Sequence, residues 1–328
     1  MPRTIDADVC IIGSGFGGTL AAKPFVEAGR RVVMIERGGW VERGPQNWAP
    51  DATGDNTPFY NFESPYLVLE GGNKPQMGAY HNVGGPSVFY GAVSLRFREA
   101  DFEPLPQIVG DSGAAWPFGY DEIAPWYDQA EAALDIAGTA GADPTEPARS
   151  GPFPQPSAPL ADVSQRIGGA AEALGLHPFP LPLAINYRAG ERQCALCPTC
   201  DTYACAISAK NDLASTWIPR LMRQGMLLLP NKVVVCLKTG ERRITSAEIV
   251  DRTTGERQQV RARAFVLAAG ALGSPLLALA SRLDRFSPAP DAIGAYLMRH
   301  VNAIVFGLFP KLPGRLDTFH KQIGIHDF

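Results

Sequence analysis

The run Val9-Cys10-Ile11-Ile12-Gly13-Ser14-Gly15-Phe16-Gly17-Gly18 constrains this chain more than any other. Its four apolar residues are the length and character of a buried parallel strand. The pattern G-x-G-x-x-G follows at Gly13, Gly15 and Gly18. Thr19 to Ala28 then reads as a helix ending near Gly29, and Arg31 to Ile35 as a second strand closing on Glu36. A lone G-x-G-x-x-G is weak. Set between a strand and a helix, with an acid 18 residues past Gly18, it is the first βαβ unit of a dinucleotide-binding fold.

Each position has a physical reason. Gly13 permits the tight turn. Gly15 lets the backbone approach a pyrophosphate, and Gly18 lets the helix pack on the strand. The helix start offers N–H groups and partial positive charge to phosphates. A carboxylate at Glu36 accepts hydrogen bonds from ribose hydroxyls and repels a 2′-phosphate, which disfavours NADP. The competing reading is a glycine-rich turn with no ligand. The turn alone does not separate FAD from NAD.

The remaining chain is irregular in places, as Gly 34 and Pro 29 lead one to expect. Residues 39–80 read as an extended excursion, and Asn82 to Arg98 carry a second glycine cluster. Helices are expected at Tyr120 to Ile136 (Asp121 as N-cap), Val163 to Leu174, Ser215 to Arg223 and Leu272 to Ala280, with a loop over 139–160. Leu227 to Leu237 and Ser246 to Asp251 read as strands of a meander turning at Gly240 and Gly255. Ala264 to Ala269 reads as another strand, and Tyr296 to Phe309 as the start of a further strand region. A net charge of −3 gives no reason to expect nucleic acid. No stretch reaches about 18 uninterrupted apolar residues, so no membrane span is expected. Met1 to Asp8 lack a secretory signal, which points to a cytoplasmic protein.

Four segments together resemble the glucose–methanol–choline (GMC) family of FAD oxidoreductases. They are Val9 to Gly18 with Glu36-Arg37-Gly38; Gly84-Gly85-Pro86-Ser87-Val88-Phe89-Tyr90-Gly91-Ala92 running on to Arg96-Phe97-Arg98; Trp116-Pro117-Phe118-Gly119-Tyr120-Asp121 with Trp126-Tyr127; and Val266 to Leu277. The second and third most resemble the branch of pyranose oxidases and gluconate or fructose dehydrogenases. The resemblance implies an α/β fold: a Rossmann-like FAD/NAD(P)-binding domain, parallel sheet plus β-meander, with part of an α+β substrate domain. It implies an FAD-binding domain over 1–100 and 200–292, an inserted cap region over 101–199, and the start of a substrate domain over 293–328. It also implies FAD contacts at Gly13, Ser14, Gly15, Phe16, Gly17, Gly18, Glu36, Arg37, Gly84, Gly85, Ser87, Val234, Ala268, Ala269 and Gly270. Phe89 stands where some relatives link a histidine to the flavin, so non-covalent FAD is expected; His81 is a weaker alternative attachment point.

Cys194-x2-Cys197-x2-Cys200-x4-Cys205 puts four thiols within twelve positions. Such spacing suits an Fe–S cluster or zinc, structural thiols, or disulfides. Lys210 reads as a phosphate contact or a solvated charge. The implied chemistry is oxidation of a CH–OH group of a sugar or other alcohol, with hydride transfer to flavin N5 and a histidine as base. In the family that histidine comes late. His300, His320 and His326 do not have its context, so no catalytic residue is assigned in this chain. A second polypeptide carrying the C-terminal half with the catalytic histidine is expected as partner, and the chain is expected to be unstable and inactive alone. Two alternatives stay open: a non-catalytic flavin-binding or assembly subunit, and a subunit passing electrons from flavin to the cysteine cluster.

Overall fold

The computed structural model describes residues 3–49, 62–67, 76–109, 113–197, 200–241, 243–298, 303–305 and 321–327. The chain divides into two compact units. One comprises 1–42, 50–88 and 213–300, and the other 43–49, 89–212 and 301–328.

The first unit is built on β1 (Arg3–Asp6), β2 (Val9–Ile12), α1 (Phe16–Glu27) and β3 (Val32–Ile35). An antiparallel pair follows, β4 (Phe62–Leu67) and β5 (Gln76–Tyr80). Then come α2 (Trp217–Arg223), β6 (Leu227–Leu229), β7 (Lys232–Thr239), β8 (Ile244–Asp251), β9 (Arg257–Arg261), β10 (Ala264–Leu267) and α3 (Gly270–Ala280). A parallel sheet runs β10-β2-β3-β6, and a second sheet runs β1-β9-β8-β7. In the second sheet β1 pairs parallel with β9, while β7, β8 and β9 form the antiparallel meander.

Every residue of β2 and β3 is buried, so these strands are apolar throughout rather than alternating. Cys10, Ile12, Val33 and Ile35 share one core cluster with Leu237, Ala247, Ile249 and Val260 of the meander. The Cys10 thiol is fully buried, and burial pushes it up to about 12.

Three sequence expectations are corrected. α1 begins at Phe16, not Thr19, so Gly17 and Gly18 are already helical. The expected strand Leu227 to Leu237 is two strands in two sheets. It breaks at Asn231, whose φ of +56° is left-handed and cannot continue a strand. The helix at Tyr120–Leu134 is capped by Gly119, with Asp121 inside its first turn, and it stops where Asp135 turns left-handed.

In the second unit the helix Tyr120–Leu134 is tied down by a buried ion network. Arg96 Nε donates to Glu131 Oε1 at 2.7 Å, and Arg149 Nη2 donates to Glu131 Oε2 at 2.5 Å. Another helix spans Asp162–Ala173, and Ile323–Ile325 pairs antiparallel with Pro178–Pro180. Of the expected strand region Tyr296 to Phe309, residues 296–298 and 303–305 form no strand; the rest, with His300, lies outside the described residues, as does His320. No described helix is long and apolar enough to cross a membrane.

Candidate functional site

The carboxyl ends of β2, β3 and β10 open onto a cleft of about 900 Å³ within the first unit. This is where open parallel sheets bind ligands, because the strand ends and helix starts converge there. Its floor is Gly13 to Gly17. One wall is Glu36, Arg37 and Lys232 to Val235, and the other is Ala268 to Ser274. His81, Gly85 and Pro86 also line it.

The glycines are dictated by contact. Gly13 adopts φ +103°, and a Cβ there would fall 2.2 Å from the Ala268 carbonyl oxygen. A Cβ on Gly18 would fall 1.9 Å from the Gly13 carbonyl oxygen and 3.2 Å from Ile11, so only glycine lets α1 lie this close to β2. Gly15 differs. Its φ of −68° suits any residue, and a Cβ there would meet nothing within 4 Å. That open volume lies in the cleft at the start of α1, whose N-cap makes no side-chain hydrogen bond. A backbone free of side chains at a 12-residue helix start fits a pyrophosphate.

Glu36 is 6% exposed, and its carboxylate is held from several sides. Oε2 accepts from Ser14 N at 3.0 Å and Ser14 Oγ at 2.5 Å, and Oε1 accepts from Gly38 N at 2.9 Å. Burial pushes this carboxyl above the usual range, while the Gly38 and Ser14 donors pull it back. Ser14 Oγ also accepts from Gly84 N at 3.0 Å, which ties the second glycine loop to the first. That loop is held further by Gly85 N to Asn82 O at 2.8 Å and Ser87 Oγ to Gly84 O at 2.7 Å. Leu213 N donates to Ser87 Oγ at 3.1 Å, so Ser87 is a buried brace of the loop and not part of the cleft wall.

Sequence reasoning had singled out one residue of β7, Val234, yet Val233, Val234 and Val235 all line the cleft. Val234 also packs against the core cluster, and the pairing of β7 with β8 shifts register between Val234 and Cys236. Lys232 was also missed. It lines the cleft and pairs with Asp251 across the meander. Of the anticipated contacts, Gly13 to Gly17, Glu36, Arg37, Gly85, Val234 and Ala268 to Gly270 come together around the cleft; Gly18, Gly84 and Ser87 stand behind it.

A family model described as GMC oxidoreductase matches residues 11–302. The chain belongs to the GMC oxidoreductase family. It is 32% identical over 324 residues to 6'''-hydroxyparomomycin C oxidase of Streptomyces lividus, covering 95% of this chain and 56% of that protein. It is 33% identical over 314 residues to paromamine 6'-oxidase of Streptomyces fradiae, covering 93% of this chain and 54% of that protein. This GMC oxidoreductase chain therefore spans about half the length of these curated relatives. Among solved structures, an FAD-dependent oxidoreductase from Chaetomium thermophilum matches with a TM-score of 0.57 at 19% identity, over 84% of this chain and 47% of that one, which shows the shared fold.

The cysteine cluster of this GMC chain lies in the second unit. Cys194, Cys197, Cys200 and Cys205 are free thiols, and among the described residues no three His, Cys, Asp or Glu side chains are arranged to hold a metal ion. Cys194 Sγ accepts from Leu196 N at 3.3 Å, and Cys205 Sγ from Ala209 N at 3.2 Å. Burial, with neighbouring thiols, pushes Cys194 up to about 11. Lys210 is neither a solvated charge nor a phosphate contact. It is 1% exposed, and its Nζ donates to the carbonyls of Tyr90, Cys200 and Tyr203 at 2.8, 3.0 and 2.8 Å. The three donors of an ammonium group thus brace the cysteine-rich loop.

Proposed function

We propose that this chain is the FAD-binding part of an oxidoreductase acting on a CH–OH group of a sugar or other alcohol. The observation that carries the reading is the cleft itself: an open Gly15 backbone at a helix start, with Glu36 on one side and the Gly85–Pro86 loop also on its wall. In this reading the adenosine ribose hydroxyls donate to Glu36, the pyrophosphate lies over Gly13 to Gly17, and Val234 and Ala268 to Gly270 close the walls. Arg37 adds positive charge at the adenosine end, and Gly84, Gly85 and Ser87 set the loop beside the flavin ring. The reading places FAD non-covalently, and Phe89 offers no atom for a flavin link. FAD supplies the two-electron acceptor that takes hydride from the alcohol carbon, leaving a carbonyl. The family relationship, and relatives named as oxidases of paromamine and of 6'''-hydroxyparomomycin C, support an oxidation of this kind.

The proton-accepting histidine is assigned to polypeptide beyond these residues, matching the other half of the relatives' length. Among the described histidines, His177 and His326 belong to the second unit and bond to Asp327 and Asp143 at 2.6 and 2.9 Å. The partner in this reading is polypeptide carrying that half, and nucleic acid has no place in it.

The test has two stages. FAD titrated into purified protein should give saturable quenching of flavin fluorescence. Together with polypeptide supplying the remaining half, the bound flavin should bleach on anaerobic addition of a reactive sugar or alcohol. Absence of FAD binding sinks the reading. Binding without bleaching across a broad panel of sugars and alcohols favours a non-catalytic flavin carrier.

A further inference from the structure

Glu36 on the cleft wall and the second glycine loop are connected through one side chain. Ser14 is fully buried. Its hydroxyl hydrogen goes to Glu36 Oε2 at 2.5 Å, so its oxygen lone pairs remain to accept Gly84 N at 3.0 Å. Gly84 has φ +90°, a conformation that L side chains rarely adopt, and its virtual Cβ sits 3.0 Å from Ala214. The loop therefore has little freedom except at the hydrogen bonds that hold it. Gly85 lies against the dinucleotide turn, with its virtual Cβ 3.0 Å from Gly15 Cα, so a shift of either loop is felt by the other.

We infer that Ser14 is a positioning residue that couples occupancy of the adenosine end of the cleft to the hold on the Gly84–Val88 loop. The inference rests on the FAD-binding reading above. When ribose hydroxyls donate to Glu36, they add donors to a carboxylate that already accepts from Ser14 N, Ser14 Oγ and Gly38 N. Donors on one acceptor share its charge, so Oε2 accepts less strongly from the Ser14 hydroxyl. The less polarised hydroxyl oxygen accepts less strongly from Gly84 N, because consecutive hydrogen bonds strengthen and weaken together. An adenosine-end ligand thereby loosens the loop at Gly84 before any flavin ring arrives. Simple direct contact would instead slow exchange and needs no serine hydroxyl.

Amide hydrogen exchange over Gly84–Val88 reads the coupling, with ADP as the probe because it carries the adenosine and pyrophosphate but no flavin. Equilibrium dialysis first establishes that ADP binds. In the wild-type chain, saturating ADP should speed exchange in this segment by about twofold, the effect of one weakened hydrogen bond. In Ser14→Ala, dialysis sets the ADP concentration that saturates the variant, and at saturation the acceleration should vanish. Acceleration that survives in Ser14→Ala overturns the inference, since the serine hydroxyl then does not carry it. Wild-type exchange that ADP slows or leaves unchanged also overturns it, and this measurement stands even if the variant does not fold. If neither ADP nor FAD binds wild-type protein, the FAD-binding reading itself fails, which dialysis distinguishes from a loss of coupling alone.

Discussion

Gly84 N donates to Ser14 Oγ at 3.0 Å across 70 positions of sequence. This bond joins the two glycine loops of the cleft, and Ser14 in turn leans on Glu36. The acid at the end of β3 is thus a structural acceptor for its own binding loop as well as a candidate ligand contact. Its neighbours suggest how the two roles separate experimentally.

Gly15 and Gly18 should respond oppositely to the same methyl group. In Gly18→Ala the new Cβ meets the Gly13 carbonyl at 1.9 Å, and backbone has to move. A loss of more than about 2 kcal/mol in unfolding free energy is expected by urea titration. In Gly15→Ala the methyl meets nothing in the protein, so stability should stay close to wild type. FAD affinity should fall about tenfold or more, because that methyl occupies the space a pyrophosphate needs. Equal affinity in Gly15→Ala would argue that no phosphate lies there.

Glu36→Gln should weaken FAD binding about 10- to 100-fold. Glu36 faces donors on both oxygens, Ser14 N and Oγ on one and Gly38 N on the other. A glutamine must turn its NH2 against one of them, setting donor against donor. Fluorescence titration of FAD measures the loss. Wild-type affinity in this variant would show that the carboxylate is dispensable.

Lys210→Met should lower stability by about 2–4 kcal/mol. The methionine fills similar volume but leaves the carbonyls of Tyr90, Cys200 and Tyr203 without their shared donor. The cysteine-rich loop should loosen first, so thiol-labelling rates at Cys200 and Cys205 should rise below the unfolding transition. Unchanged labelling would mean that the loop is held by other contacts.

Asp251 should make the meander acid-sensitive. Hydrogen bonding from Lys232, with Thr253 N and Thr254 N, holds its carboxyl at about 2, against 3.8 ordinarily. A depressed carboxyl stabilises the fold where it is ionised in both states. Its contribution is therefore complete above pH 3.8 and lost as pH falls through about 2. Urea midpoints of wild type and Asp251→Asn should differ at pH 6 and converge towards pH 2. Curves that stay parallel over that range would show that the pair contributes nothing through ionisation.

The local unit from Val9 to Glu36 was fixed by the sequence, because each of its constraints acts between near neighbours. An apolar run buries as a strand, glycines permit one turn, and the next strand ends on an acid. The family relationship was legible for the same reason, since its motifs are short and ordered. Tertiary structure decided what depends on distant partners. It split Leu227 to Leu237 at Asn231 between two sheets, because strand propensity does not specify which sheet receives a strand. It brought Val233, Val234 and Val235 together along the cleft, on a strand whose partner β8 comes later in the chain. It buried Lys210 under three carbonyls from two stretches of chain, where the sequence left a phosphate contact or a solvated charge. It also bonded Ser14 to Gly84, a contact invisible in sequence because a serine in a glycine-rich turn carries no mark of a partner 70 residues away.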